Sequence, residues 1–276
     1  MTVKLIAVDM DGTFLNDEKT YNEARFSKLF RQIEENGIKF VVASGNQYFQ
    51  LRSFFPTNYK RITFVAENGA NILLGDEHFY NALMSEETVQ KTLTLLDELK
   101  PENLIICGKN SAYISSEVSD ELYDAANFYY RKLKRINDLR QIADEGDEIF
   151  KFALSFKAED VQEILTSLSK GLKGELVPVS SGHGDIDLII PEVHKFKGLQ
   201  RLGELWGITP DEMATFGDSG NDFEMIANTK YSFAMTNGQP KVKEVANEVI
   251  GSNNKESVLE KIEQILHHQN LQKVSV

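Results

Sequence analysis

Six short, nearly continuous apolar runs restrict the folds that are open to this chain. Turn-forming residues bound them, and they read VKLIAV, IKFVVAS, ITFVAE, DLIIP, MATFGD and YSFAM. A strand buried on both faces of a parallel sheet has this continuous pattern, whereas a half-buried strand alternates between apolar and polar residues. We therefore predict that these runs form one parallel sheet.

Amphipathic stretches separate several of these runs. They read NEARFSKLFRQIEENG, with Gly37 as its stop, FKGLQRLGELWG and NDFEMIAN. Apolar residues at helical spacing between apolar strands indicate strand–helix alternation. The predicted fold class is therefore α/β, with a Rossmann-like, doubly wound parallel sheet as its core.

The middle of the chain follows a different pattern. Candidate helices SEETVQKTLTLLDELK, SDELYDAANFYYRKL and AEDVQEILTSLSKG occur there with short strands LIICG, AYISS, FKFALSF and ELVPVS, without strict alternation. The parallel-strand pattern resumes at IDLIIP. We therefore predict an inserted α+β domain over residues 84–186, between two parts of the core at 1–83 and 187–276.

Composition excludes some partners. The 276 residues carry a net charge of −12, which disfavours nucleic acid and anionic membranes because both attract basic surfaces. Cys107 is the one cysteine, so no intramolecular disulfide can form, and its apolar surroundings predict a buried thiol. The first apolar run is too short for a signal peptide or a membrane span, so we expect a cytoplasmic protein.

Polar residues follow several of the apolar runs. Because ligands bind outside the carboxyl ends of the strands in open α/β sheets, these residues are expected to meet in one crevice. The set consists of Asp9, Asp11, Ser44, Asp218, Asp222 and at least one lysine of the stretch His194-Lys195-Phe196-Lys197-Gly198.

This set of side chains has a chemical logic. Clustered carboxylates must be protonated or bridged by a cation, and oxygen-only ligands favour Mg²⁺. Lysine, serine and loop N–H groups suit a phosphoryl group. A carboxylate beside the metal could attack phosphorus, and a second carboxyl could move the leaving-group proton.

Each motif alone has a simpler interpretation. Asp-x-Asp and Ser-Gly-Asn are common in turns, Gly-Asp-Ser-Gly-Asn-Asp could be a helix cap, and most lysines are solvent-exposed. The order Asp-x-Asp-Gly-Thr, Ser-Gly, Lys and Gly-Asp-x-x-Asn-Asp, each after an apolar run, favours a functional site.

With these motifs the whole chain resembles the haloacid dehalogenase (HAD) superfamily, specifically its Cof-type phosphatases with the larger α/β (type IIB) cap. The stretches FVVASGNQY, FVAENGA and GDSGNDFEM resemble the sugar-phosphatase branch. The resemblance implies that Asp9 is the nucleophile and Asp11 the general acid/base. It implies that Mg²⁺ is held by the Asp9 carboxylate, the Asp11 backbone carbonyl and Asp218, and that Asp222 supports the metal or the lysine.

The phosphoryl group would then be bound by Ser44, Gly45, Asn221 and one lysine. The sugar-phosphatase branch places that lysine at Lys195, which we favour, whereas the broader family spacing selects Lys197. Many Cof-type members have arginine where this chain has Asn46, so Asn46 is a possible substrate contact. His183, in the segment SSGHGD near the end of the inserted domain, is a second one.

The favoured function is a Mg²⁺-dependent phosphatase that acts on small phosphorylated metabolites, with sugar phosphates as the expected class. A phosphomutase of the same fold is the alternative enzyme. A phosphoryl-accepting receiver domain or an inactive metabolite-binding protein is the alternative without turnover. We expect a monomer or a weak homo-oligomer.

Overall fold

The computed structural model describes residues 2–182 and 184–274, so His183 lies outside the described residues. The chain divides into two compact units. Unit 1 comprises Met1–Ser44, Lys60–Val65 and Lys195–Val276, and unit 2 comprises Gly45–Tyr59 and Ala66–His194.

The strands are labelled in chain order. They are β1 (Leu5–Val8), β2 (Lys39–Ala43), β3 (Thr63–Ala66), β4 (Asn71–Leu74), β5 (Glu77–Asn81), β6 (Asn103–Gly108), β7 (Ala112–Ser115), β8 (Leu133–Ile136), β9 (Ile149–Ser155), β10 (Val177–Gly182), β11 (Asp185–Ile189), β12 (Met213–Gly217), β13 (Tyr231–Met235) and β14 (Glu248–Ile250).

The α-helices are labelled in the same way. They are α1 (Glu23–Glu35), α2 (Tyr48–Ser53), α3 (Glu86–Leu99), α4 (Asp120–Tyr129), α5 (Val161–Leu172), α6 (Lys195–Trp206), α7 (Phe223–Ala227), α8 (Pro240–Val245) and α9 (Ser257–Val274). None of the helices in the described part of the chain combines the length and the hydropathy needed to cross a bilayer.

Unit 1 is built around parallel strands in the order β14-β13-β12-β1-β2-β3. All four residues of β1 are buried, as expected for a central strand. The sheet grows from β1 through β2 in one direction and through β12 in the other. This reversal beside β1 is the switch point where ligands bind in doubly wound sheets. The predicted α/β fold with a parallel core is confirmed.

Helix α1 shows how local sequence sets an element of unit 1. The Asn22 side chain accepts a hydrogen bond from the Arg25 N–H and caps the first turn. Phe26, Leu29 and Phe30 recur at helical spacing and are buried. Gly37 follows the last turn with φ +69°, so the helix ends where the sequence predicted.

Unit 2 contains a second sheet of six strands, ordered β10-β11-β9-β6-β7-β8. Its pairs are antiparallel except for β7 and β8. Helices α3, α4 and α5 belong to this unit, and residues of α3 and α5 share a buried apolar cluster with Phe152 and Leu188 of the sheet. Cys107 is buried in a neighbouring cluster, as predicted.

One strand prediction was wrong. The run DLIIP was expected to be a parallel core strand, but β11 pairs antiparallel with β9 and β10 in the second sheet. An apolar run of this length has the same pattern in either kind of sheet, because it is buried on both faces. Strand β11 also crosses residue 186, whereas the limits 84 and 186 for the inserted domain remain a prediction.

Candidate active site

Three carboxylates of unit 1 meet at the switch point of the parallel sheet. Asp9 follows β1 directly, and its N–H donates to the carbonyl of Phe216 on β12 at 3.0 Å. Asp218 follows β12, and Asp222 lies in the short turn after it. One carboxylate oxygen from each of these three residues lies within 4.8 Å of the other two. The tertiary fold thus gathers acidic residues from the two ends of the chain.

Lys195 is placed between two of these carboxylates. Its Nζ donates to Asp9 Oδ1 at 2.6 Å and to Asp222 Oδ1 at 2.7 Å. The Lys195 side chain is fully buried, although it is the first residue of α6. Lys197 is partly exposed, two positions further along the same helix. The geometry therefore favours Lys195 over Lys197 as the lysine of the site.

Asp222 is held by backbone groups as well as by Lys195. Its Oδ2 accepts hydrogen bonds from the N–H groups of Asp218 at 2.9 Å and Ser219 at 3.0 Å. Both of its oxygens are therefore engaged with protein donors. This arrangement suits a carboxylate that orients Lys195 and the Asp218 loop.

The turn Met10–Phe14 brings Asp218 against the first motif. Thr13 Oγ1 donates to Asp218 Oδ1 at 2.8 Å. Gly12 has φ +74°, and a Cβ built there would lie 2.7 Å from Asp218 Oδ2. Both the left-handed backbone and the close approach of a carboxylate require glycine at this position.

Asp11 lies at the partly exposed side of the cluster. Its Oδ1 is 2.6 Å from Lys19 Nζ, and both side chains are about one-third exposed, at 31% and 32%. An ion pair with this much solvent contributes little to stability. Asp11 is thus accessible from solvent.

The electrostatics of the cluster reflect its burial. Burial raises the pKa of Asp9 well above its ordinary value, the charge of Asp222 adds to the rise, and Lys195 opposes it. Burial and then the charge of Asp222 raise the pKa of Asp218 to about 7. Burial alone would lower the pKa of Lys195, but the charges of Asp222 and Asp9 outweigh it and raise that pKa.

The remaining predicted site residues are placed as follows. Ser44 follows β2, is 2% exposed, and donates its N–H to the carbonyl of Val65 at 2.9 Å. Asn221 accepts a hydrogen bond from Ser219 Oγ at 2.7 Å. Gly45 and Asn46 belong to unit 2, where the carbonyl of Asn46 accepts from the Glu67 N–H at 3.2 Å.

The donor set fits a magnesium ion. The three clustered carboxylates supply only oxygen ligands, which hard divalent cations prefer. Burial and the mutual repulsion of these carboxylates raise the pKa of Asp9 and of Asp218, and either a proton or a bound cation offsets that repulsion.

Sequence reasoning missed three contacts of the site. Thr13 was recognised only as part of the first motif, yet it bonds Asp218 directly. Lys19 pairs with Asp11, and Asn237 Nδ2 donates to the carbonyl of Gly12 at 2.8 Å. The short distance in sequence between Lys19 and Asp11 was a usable signal, whereas no local pattern marks Asn237.

Comparison with known proteins agrees with this geometry. A family model described as haloacid dehalogenase-like hydrolase matches residues 6–262. The chain belongs to this family. The predicted HAD membership is therefore confirmed, and the match spans both units of the hydrolase.

Named relatives cover nearly the full length of this HAD-like hydrolase. The 5-amino-6-(5-phospho-D-ribitylamino)uracil phosphatase YbjI of Escherichia coli (strain K12) is 42% identical over 269 residues, which are 98% of each protein. The crystal structure of SMU.1108c from Streptococcus mutans UA159 is 35% identical, with a TM-score of 0.91 over 96% of this chain and 100% of that one.

A more distant structure shares the fold. The HAD subclass IIB sugar phosphatase BT4131 has a TM-score of 0.80 at 17% identity, over 95% of this chain and 99% of that one. That likeness shows the fold alone. Family membership and the phosphatase relatives together show that this protein is an enzyme, a HAD-type phosphatase.

Proposed function

We propose that this HAD-type phosphatase hydrolyses phosphate monoesters of small metabolites through an aspartyl-phosphate on Asp9, with Mg²⁺ as cofactor. One observation carries the proposal. Lys195 Nζ bridges Asp9 and Asp222 while Asp218 completes a cluster of carboxylates within 4.8 Å. A buried nucleophile, a fixed cation and a set of oxygen ligands are the groups that phosphoryl transfer requires.

In the first step an oxygen of Asp9 bonds to phosphorus while the bond from phosphorus to the alcohol oxygen breaks. Asp11, which is partly exposed, gives a proton to the departing oxygen in its carboxylic acid form, and this requires that its ion pair with Lys19 be broken first. In the second step Asp11 takes a proton from water. The water oxygen then bonds to phosphorus, the bond to Asp9 breaks, and inorganic phosphate leaves.

Other residues hold the phosphoryl group in this proposal. Lys195 offers its charge to the phosphoryl oxygens, and Ser44, Gly45 and Asn221 offer hydrogen-bond donors. Mg²⁺ would be held by Asp9, the backbone carbonyl of Asp11 and Asp218, and when bound it supplies positive charge for the phosphoryl oxygens. Asp222 supports the site by orienting Lys195.

We propose phosphorylated sugars or sugar alcohols as the substrate class. The relative YbjI is named for 5-amino-6-(5-phospho-D-ribitylamino)uracil, whose phosphate sits on a ribityl chain. That compound is the first substrate to test, beside a panel of sugar phosphates.

The experiment compares the wild type with Asp9→Asn, using release of inorganic phosphate as the assay. We expect a loss of turnover of at least ~10³-fold, because the amide is not a nucleophile. Asp120→Asn is the matched control, since that aspartate is 88% exposed in the first turn of α4. Asp9→Asn activity within tenfold of wild type would refute the nucleophile, and transfer of phosphate to a second product without release would favour a mutase.

A further inference from the structure

A second buried polar cluster lies within unit 2. Lys151 Nζ donates to Asp187 Oδ1 at 2.8 Å, and Asn68 Nδ2 donates to Asp187 Oδ2 at 2.6 Å. Exposed fractions are 2% for Lys151, 6% for Asp187 and 1% for Asn68. Desolvating such a pair costs free energy that its attraction often fails to return. Stability alone therefore gives no sufficient reason for placing these groups here.

The second sheet sets the position of the ion pair. Asp187 on β11 is opposite Ala153 on β9, and Lys151 is two residues before Ala153. Because alternate residues of a strand face the same side, Lys151 and Asp187 share one face of the sheet as diagonal neighbours. The pair is thus anchored on regular, rigid secondary structure.

Asn68 enters the cluster from a turn with unusual backbone geometry. Glu67, Asn68 and Gly69 have φ values of +51°, +55° and +101°. A left-handed backbone is unfavourable at Glu67, whereas asparagine and glycine adopt it more readily, and strain at such a position persists only when the surrounding structure enforces it. Glu67 is also buried, and its Oε2 lies 3.6 Å from Lys151 Nζ, so the turn contributes a second, longer ion pair to the cluster.

Backbone contacts of this turn reach two other segments of unit 2. The Glu67 N–H donates to the carbonyl of Asn46 at 3.2 Å. A Cβ built on Gly45 would lie 3.1 Å from both Asn68 Oδ1 and Asp187 Oδ2, so the Gly45 backbone rests against the cluster.

On the other side of the turn, a Cβ on Gly69 would lie 2.7 Å from the carbonyl oxygen of His194. In sequence, Gly45 directly follows Ser44, and His194 directly precedes Lys195.

We infer that Asn68 and Asp187, held by Lys151, are positioning residues for the phosphoryl-binding groups. They hold the backbone at Gly45 and, through Gly69, at His194. They thereby restrain the backbone positions of the adjacent residues Ser44 and Lys195. This inference rests on the proposed function, in which Ser44 and Lys195 bind the phosphoryl group. Small displacements of such groups cost about 10²-fold in rate.

The inference is tested by exchanging the amide at position 68 with the carboxylate at position 187. Asn68→Asp places a second carboxylate beside Asp187, and Asp187→Asn removes the carboxylate that Lys151 pairs with at 2.8 Å, leaving the longer contact with Glu67 at 3.6 Å. We expect each single variant to lower kcat at least about tenfold, because either change loosens the backbone after Ser44. The double variant N68D/D187N restores one carboxylate and one amide, and we expect it to regain most of the lost rate.

The readouts separate positioning from a structural role. Two esters with different alcohols should lose kcat by the same factor, because the cluster acts on the phosphoryl side. Affinity for inorganic phosphate, measured by calorimetry, should fall in the single variants and recover in the double variant. Asp147→Asn is the matched control, because Asp147 also accepts several hydrogen bonds in unit 2, from the N–H groups of Asn110 and Ser111 and from Tyr113.

Three results would overturn the inference. The first is an unchanged kcat and phosphate affinity in folded single variants. The second is a double variant whose loss of kcat equals the product of the losses in the two single variants. The third is a loss of kcat that differs strongly between the two esters. Failure of the proposed function is recognised separately. In that case the wild type itself would release no phosphate, while phosphate affinity would still report on the positioning by Asn68 and Asp187.

Discussion

Replacement of Lys195 by methionine is the sharpest test of the candidate active site. The substitution keeps most of the side-chain length and removes the charge that donates to Asp9 and Asp222 at 2.6 and 2.7 Å. Removing one partner of a buried ion pair leaves an uncompensated charge, which costs about 3–5 kcal/mol. We therefore expect the free energy of unfolding to fall by about that amount, since Lys195 and Asp222 are fully buried.

The effect on turnover should be of about the same size as the effect on folding, because a 10²–10³-fold loss of rate corresponds to about 2.7–4 kcal/mol. Loss of one preorganised charge donor lowers kcat about 10²–10³-fold in other enzymes, and Lys195 also orients the proposed nucleophile. Lys197→Met provides a matched control in the same helix. Residues two positions apart on a helix face different directions, so we expect Lys197→Met to keep most of the activity.

Two measurements check this prediction. Urea denaturation followed by circular dichroism gives the free energy of unfolding, and phosphate release is assayed below the start of the unfolding transition. The reasoning would be refuted if folded Lys195→Met kept more than a tenth of the wild-type turnover. It would also be refuted if Lys197→Met lost as much activity as Lys195→Met.

Three further predictions concern the proton donor, the metal and a buried carboxyl group. Asp11→Asn should slow hydrolysis of a sugar phosphate more than that of nitrophenyl phosphate, because only the alkoxide needs a proton as it leaves; equal losses in single-turnover rates would contradict this. A chelator should abolish phosphate release, Mg²⁺ should restore it, and Ca²⁺ should not, because Ca²⁺ accepts more and longer ligand bonds; full activity with Ca²⁺ alone would argue against the proposed site. Burial raises the pKa of Glu67 from 4.5 to about 7. The folded state therefore binds the proton of the Glu67 carboxyl group more tightly than the unfolded state does. The stabilisation from this proton is fully present below pH 4.5 and is lost as the pH rises to about 7. This amounts to roughly 3 kcal/mol. As the pH rises across this range, the denaturation midpoint should fall less steeply for Glu67→Gln than for the wild type. Parallel curves of midpoint against pH would contradict the raised pKa of Glu67.

The sequence by itself determined the class of fold and the segments that carry the site. Continuous apolar runs are compatible with few structures other than doubly buried strands, and β1, β2, β3, β12 and β13 lie where those runs predicted them. Polar residues directly after such strands have to lie beyond the carboxyl ends of the strands, because the strands themselves are buried. The positions of Asp9 and Asp218 directly after two such runs were therefore enough to assign both residues to the same end of the parallel sheet.

Tertiary structure decided which sheet each run joins and which side chains meet. DLIIP joins the antiparallel sheet as β11, because hydrophobic pattern reports burial but not the direction of a neighbouring strand. Spacing left Lys195 and Lys197 as alternatives, and only the rotation of α6 against the carboxylates places one amine between Asp9 and Asp222. The contact of Asn237 with Gly12 joins residues 225 positions apart. Such pairings depend on the packing of whole elements, which short-range sequence patterns do not encode.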